Sequence, residues 1–199
     1  MLKVLKGGKS GKSVVSKFGH SWIASCETEE DLINVGKKLA SVVGSGDVVL
    51  LKGSLGAGKT TLVRGLIQAK CNDNTMRVTS PSYLLDNIYE LKDMTIHHMD
   101  LYRLPTGSDL SILDIPKIYS SSLCLIEWPQ RMGSQWLPKK YLDVDIRIIA
   151  SDTTPNERND DGGDDDDDDD DQKREVFMTP SDGCKTGLLV KLEKEFPKL

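Results

Sequence analysis

At 199 residues the chain can hold one domain with a substantial core and has little room for a second. Its 38% hydrophobic and 6% aromatic content fits a globular protein, and no apolar run reaches the ~18 residues that cross a bilayer, which excludes a helical membrane protein and predicts a soluble one. The net charge of −5 averages unlike pieces: residues 151–175 carry 13 acidic against 3 basic side chains, residues 1–26 carry five lysines and no acid, and the near-neutral stretch between them offers no basic stripe for direct nucleic-acid binding.

Four cysteines, Cys26, Cys71, Cys124 and Cys184, are scattered without a C-x-x-C pair. This argues against a zinc site and against a secreted disulfide framework, and it fits a reducing intracellular compartment. Residues 1–17, rich in Lys, Ser and Gly, are expected to form a flexible basic extension ahead of a domain spanning 18–199. Their lack of acid resembles an organellar transit peptide, but such peptides favour arginine and none is present, so a targeting remnant and a plain tail both stay open. Gly7–Ser13 imitates a phosphate loop, yet Lys6 stands where the first glycine belongs and no apolar strand precedes it. It reads as a decoy.

Phe18 to Cys26 alternates enough for an edge strand. Thr28 and Asp31 then have the spacing of a capping box, and Leu32, Val35, Leu39 and Val42 continue at helical spacing to Gly44 and Gly46. Val48-Val49-Leu50-Leu51 is an unbroken apolar run, the pattern of a strand covered on both faces in a parallel sheet. Thr60–Ala69 reads as a helix, and Thr95–Met99 and Leu123–Ile126 read as strands, each closed by an acid. Leu142, Val144, Ile146 and Ile148 alternate with polar residues, predicting a strand with one wet face. Residues 152–173, with eight consecutive aspartates, cannot bury a core and are expected to be a disordered insertion between two strands, the second resuming at Val176-Phe177-Met178. Residues 187–199 read as a terminal helix.

Gly53-Ser54-Leu55-Gly56-Ala57-Gly58-Lys59-Thr60 fits G-x-x-x-x-G-K-[ST] at every position, between an apolar strand and a helix. A polyphosphate needs backbone N–H donors at close range, and Gly53, Gly56 and Gly58 carry no side chain to block that approach. The donors lead into a helix N-terminus whose dipole favours anions. Lys59 is placed to bridge terminal phosphates, and the Thr60 hydroxyl to ligate Mg²⁺. The cation also needs a carboxylate at a neighbouring strand end. Glu127 follows the more apolar strand and Asp100 a strand containing His97 and His98. Those two histidines are adjacent, so on a strand they face opposite ways, and surface or packing roles are expected for both. Trp128 is equally compatible with a base, a partner or the core. Thr79–Tyr83 has the position of a γ-phosphate-sensing segment, or of an ordinary turn.

Four ordered segments carry a family resemblance: Leu55-Gly56-Ala57-Gly58-Lys59-Thr60-Thr61, Ser80-Pro81-Ser82-Tyr83, Asp100-Leu101-Tyr102-Arg103-Leu104 and Leu125-Ile126-Glu127-Trp128-Pro129. They are similar to the motifs of the TsaE (YjeE) ATPases of tRNA threonylcarbamoyladenosine synthesis, and the resemblance runs from about Ser25 to Ile149. It implies a three-layer α/β P-loop fold with a mainly parallel central sheet and a weak, partner-dependent ATPase using ATP and Mg²⁺. It also implies partnership with the two paralogous subunits that make the threonylcarbamoyl group and transfer it to adenosine 37, tRNA being reached indirectly. By the same resemblance Gly53, Leu55, Gly56, Ala57, Gly58, Lys59, Thr60 and Thr61 bind nucleotide, Thr60 and Glu127 hold the metal, Asp100 serves hydrolysis with Lys59 and Glu127, and Glu29 approaches the nucleotide. Ser82 departs from the family's usual threonine. The acidic insertion just before Gln172-Lys173-Arg174 interrupts the region expected to contribute to the adenine pocket. Together with the basic extension, the insertion points to a eukaryotic homologue serving a mitochondrion or plastid, the cytoplasm being the expectation otherwise. Two other functions fit the loop: a small-molecule kinase, for which little chain is left to form an acceptor domain and lid, and a non-catalytic ATP-dependent switch.

Overall fold

Where apolar residues run without interruption, a strand can be covered on both faces, and Val48–Lys52 occupies such a place at the middle of an eight-stranded sheet. The computed structural model describes residues 15–18, 21–149, 172–182, 184 and 186–197. In chain order the strands are β1 (Val15–Phe18), β2 (Ser21–Cys26), β3 (Val48–Lys52), β4 (Asp86–Glu90), β5 (Thr95–Asp100), β6 (Leu123–Glu127), β7 (Leu142–Ile148) and β8 (Arg174–Pro180). The helices are α1 (Glu29–Val42), α2 (Lys59–Cys71), α3 (Ile115–Ser121) and α4 (Thr186–Glu195). The sheet order is β1-β2-β8-β7-β3-β6-β5-β4.

The four central strands β7, β3, β6 and β5 are mutually parallel, and both flanks are antiparallel. The mainly parallel sheet expected from the sequence is therefore a mixed one, parallel only at its centre. Parallel pairing needs a crossover, whereas β1–β2, β4–β5 and β7–β8 join strands consecutive in the chain.

Alternation along β3 divides the core. Val49 and Leu51 pack with Leu32, Val35 and Leu39 of α1, Leu62 and Leu66 of α2, and Leu188 and Leu192 of α4. Val48 and Leu50 face the other way, towards Ile115 at the start of α3. The result is three layers. α1 begins with the expected capping box, in which Asp31 N–H donates to Thr28 Oγ1 at 3.2 Å and Thr28 N–H donates to Asp31 Oδ2 at 3.1 Å. α1 and α2 meet backbone to backbone: a Cβ on Gly36 would lie 2.0 Å from Leu62 O, and one on Gly65 2.1 Å from Ile33 O.

Several boundaries differ from expectation. Val15–Lys17, assigned to the flexible extension, belong to β1, and the segment expected as a single edge strand is two strands with β2 inside the sheet. The decoy at Gly7–Ser13 and residues 152–171 of the acidic insertion lie outside the described residues. Gln172 and Lys173, counted with the insertion, lead into β8, and Lys173 continues the β7–β8 ladder, with Ile149 N–H donating to Lys173 O at 2.8 Å. β4, polar and half exposed at the sheet edge, and the two-turn α3 carry too little apolar periodicity to be read from sequence.

Candidate functional site

Between β3 and α2 the chain turns through Gly53 (φ 140°), Gly56 (φ 76°) and Gly58 (φ 97°), conformations that disfavour a side chain. At two of these the space is closed as well: a Cβ on Gly53 would lie 2.6 Å from Ile146 O, and one on Gly58 2.4 Å from Leu32 Cδ1. At Gly56 nothing lies within 4 Å, so the loop is backed by protein at its ends and open at its crest. Gly58 is the N-cap of α2 and supplies no side-chain oxygen, which leaves the first amides of the helix to water or a ligand. Leu55 is 71% exposed at the loop tip, so it brings backbone and no enclosing side chain, whereas Ala57 is buried.

Lys59 is only 5% exposed. Its ammonium donates to Gly53 O at 3.1 Å and Ser54 O at 2.7 Å and lies 4.2 Å from the centre of the Trp128 indole. Burial pushes its pKa down from the usual lysine value, opposed by the Glu127 and Asp100 carboxylates. The next residue, Thr60, donates its hydroxyl to Glu127 Oε1 at 2.8 Å. The parallel register sets Glu127 beside both Leu51 of β3 and Asp100 of β5, so the two acids stand side by side at the ends of adjacent strands. Asp100 Oδ1 accepts the Tyr102 N–H at 2.9 Å, and Oδ2 accepts the Ser80 hydroxyl in a very short contact. Ser80 in turn accepts the Ser82 N–H at 3.3 Å, tying the Thr79–Tyr83 segment to the Asp100 strand end.

Glu29 opens α1 and sits on the flank of this group. Its Oε1 accepts from Thr61 Oγ1 at 3.2 Å and from Arg64 Nη1 at 2.9 Å, both on α2. Lys59, Thr60, Glu127 and Asp100 are thus brought together, and Glu29 with Thr61 forms an adjoining pair on the α1 side.

The histidine expectation is corrected. His98 is fully buried, and its Nε2 lies 2.9 Å from Glu127 Oε1. His97 is also buried, on the opposite face, with Nδ1 2.7 Å from Asp86 Oδ2. Strand alternation was the available signal, because it sets His98 on the face of Asp100 two residues on. Trp128, left-handed at φ 58°, covers Lys59 and packs in a tilted arrangement on Tyr102 at a centroid distance of 4.9 Å. Arg174, at the start of β8, is 8% exposed and has a buried Nε with no hydrogen-bond partner among the described residues. Its Cδ lies 3.9 Å from where a Gly58 Cβ would stand.

The family model for threonylcarbamoyl adenosine biosynthesis protein TsaE matches residues 26–159, a span that contains the loop, both acids and Ser80. The chain belongs to the TsaE family. Among curated members called tRNA threonylcarbamoyladenosine biosynthesis protein TsaE, that of Rickettsia bellii is 34% identical over 125 residues, covering 63% of this chain and 85% of that protein. That of Haemophilus influenzae is 36% identical over 124 residues, covering 59% and 77%. Against the Rickettsia felis protein the match is 38% over 102 residues, 51% of this chain and 59% of that one. The crystal structure of Bacillus subtilis YdiB shares the fold, with a TM-score of 0.63 at 20% identity over 92% of this chain and 97% of that one. No described helix is long and apolar enough to cross a membrane.

Proposed function

We propose that this chain binds ATP with Mg²⁺ and hydrolyses it slowly in the service of tRNA threonylcarbamoyladenosine biosynthesis, acting on two paralogous partner subunits and reaching tRNA through them. The observation that carries this reading is the 2.8 Å bond from Thr60 Oγ1 to Glu127 Oε1 at the mouth of a glycine loop whose helix amides have no side-chain cap.

The residues fit the metal. A hydroxyl and a carboxylate oxygen are hard donors suited to Mg²⁺, and among the described residues no three His, Cys, Asp or Glu side chains make a self-contained site. The ion would therefore share its shell with phosphate oxygens and water, and when bound it neutralises charge on the β- and γ-phosphates. Thr60 and Glu127 would hold it.

The chain's own groups supply the rest. The amides of residues 53–60 orient the phosphates. Lys59, whose ammonium donates to Gly53 O and Ser54 O, would exchange those carbonyls for a terminal phosphate oxygen. Asp100, held by Tyr102 N–H and the Ser80 hydroxyl, has a fixed carboxylate with which to orient an attacking water. Because Ser80 lies on the Thr79–Tyr83 segment, a change at the terminal phosphate would reach the surface through it. The near-neutral charge of the central region favours contact with protein over RNA.

Calorimetry of the purified chain with Mg-ATP tests the binding step, and phosphate release with and without the partner subunits tests turnover. Binding together with partner-stimulated release is expected. Absence of any heat of binding removes the reading altogether. Tight binding and ATP-dependent partner capture without phosphate release would leave the non-catalytic switch in its place.

A further inference from the structure

His98 is spent on a contact that packing does not require. It lies on β5 with no solvent exposure, and its Nδ1 is buried without a hydrogen-bond partner among the described residues. A residue kept only to fill space would be apolar, because an imidazole with one ring nitrogen orphaned in the core costs free energy. The other nitrogen is what the fold uses: Nε2 lies 2.9 Å from Glu127 Oε1, the same oxygen that accepts the Thr60 hydroxyl at 2.8 Å. A carboxylate oxygen accepts, so Nε2 is the hydrogen-bearing atom of that contact. Two donors therefore converge on Oε1. Oε2 makes no hydrogen bond to a described residue.

We propose that His98 is the positioning residue for Glu127, its Nε2–H holding the carboxylate in the orientation from which Glu127 would meet a bound cation. This rests on the nucleotide reading above. The geometry follows from the sheet: alternation sets His98 and Asp100 on one face of β5, and the parallel register brings that face beside Glu127 on β6. Glu127 is 2% exposed, and beyond that packing the hydrogen bonds that hold its carboxylate among the described residues are those from His98 and Thr60. Residues that orient a metal ligand through its remaining hydrogen bond alter metal affinity by about 10- to 100-fold when lost.

The test is the Mg²⁺ concentration at which ATP binding reaches half its full extent, read by calorimetry on the full chain, beside ATP affinity in EDTA and the melting temperature. His98→Ala is expected to raise the Mg²⁺ midpoint about 10- to 100-fold and to leave affinity in EDTA within about twofold. His98→Gln, whose amide nitrogen reaches the position of Nε2, is expected to recover most of the loss, and His98→Leu is not. An unchanged midpoint in folded His98→Ala, an equal loss with and without Mg²⁺, or equal recovery by Leu and Gln would each overturn the proposal. If His98→Ala does not fold, the comparison of Gln with Leu decides. A wild-type chain that binds no ATP under either condition would instead sink the nucleotide reading, and this proposal with it.

Discussion

The Ser80 hydroxyl donates to Asp100 Oδ2 across 20 residues of chain, linking the segment that follows α2 to the end of β5. Asp100 is 6% exposed and its Oδ1 is already engaged by Tyr102 N–H. Both carboxylate oxygens are thus held, as a group that must present a fixed lone pair to water requires. Asp100→Asn preserves shape and removes the charge, and with partner subunits present it is expected to lower phosphate release by about 100-fold, in the range of a lost acid–base or water-orienting group, while ATP affinity stays within a few-fold. Ser80→Ala should lower release less. The double variant should match Asp100→Asn alone, since the hydroxyl acts through the carboxylate. Strictly additive losses in that cycle would show that Ser80 works independently.

On the nucleotide reading, Lys59 serves ligand charge more than packing. Its partners, Gly53 O and Ser54 O, sit on a half-exposed to exposed loop where water can replace the ammonium, and its burial disfavours the charged form. Lys59→Ala is therefore expected to keep the melting temperature within a few degrees. ATP affinity should fall by about 10- to 100-fold, the equivalent of one charge-assisted hydrogen bond of about 1.5–3 kcal/mol. Calorimetry and thermal melting on one preparation check both halves. A collapse of the melting temperature would assign the lysine to the fold instead.

The sequence is legible where one physical demand selects the residue. The loop glycines, the capping box at Thr28 and Asp31, and the apolar runs of β3 and β6 all meet their expected places, because positive φ, an orphan helix amide and two-sided burial each admit few residue types. Elements are missed where tertiary contact overrides local pattern. Asp86–Glu90 becomes a strand only because β5 pairs with it, and nothing in its polar sequence announces that. The site divides the same way. Lys59, Thr60, Glu127 and Asp100 follow from motif spacing. His98 looks like a packing residue until the register of β5 and β6 sets it against Glu127, and Ser80 looks like a turn until the chain folds it onto Asp100.

The meeting of Gly36 with Leu62 fixes how closely α1 can lie on α2, and through α2 where the loop ends. A Cβ at Gly36 would meet Leu62 O at 2.0 Å and Leu66 N at 2.9 Å, both backbone atoms that cannot rotate away. Gly36→Ala is expected to cost about 2–3 kcal/mol by forcing the helices apart, the range of an overpacked core. At Gly44 an added Cβ meets nothing within 4 Å, so Gly44→Ala should stay within about 0.5 kcal/mol of wild type. Urea unfolding of the three proteins makes the comparison. Equal stability of Gly36→Ala and Gly44→Ala would refute the close crossing.

The thiols set an alkaline limit on stability. Cys26 on β2 and Cys124 on β6 are fully buried, and burial first, with nearby carboxylates adding, pushes each pKa from 9.0 up to about 12. Above pH 9 the unfolded chain releases these two protons and the folded chain keeps them, so the native state binds more protons and stability falls as pH rises, through a window from about 9 to about 12. At pH 10 the linkage amounts to about 1.4 kcal/mol per thiol, or about 3 kcal/mol together relative to pH 8. Tyr119, also raised by burial, steepens the decline further along. Replacing Cys26 and Cys124 together with alanine should flatten the pH 8–10 segment of the stability curve, even though it lowers the whole curve by leaving small cavities. Thiol labelling at pH 8 gives an independent readout. Half-buried Cys71 and Cys184 should react in the native protein, and Cys26 and Cys124 only after denaturant is added. Rapid native labelling of all four would contradict both the burial of β2 and β6 and the predicted slope.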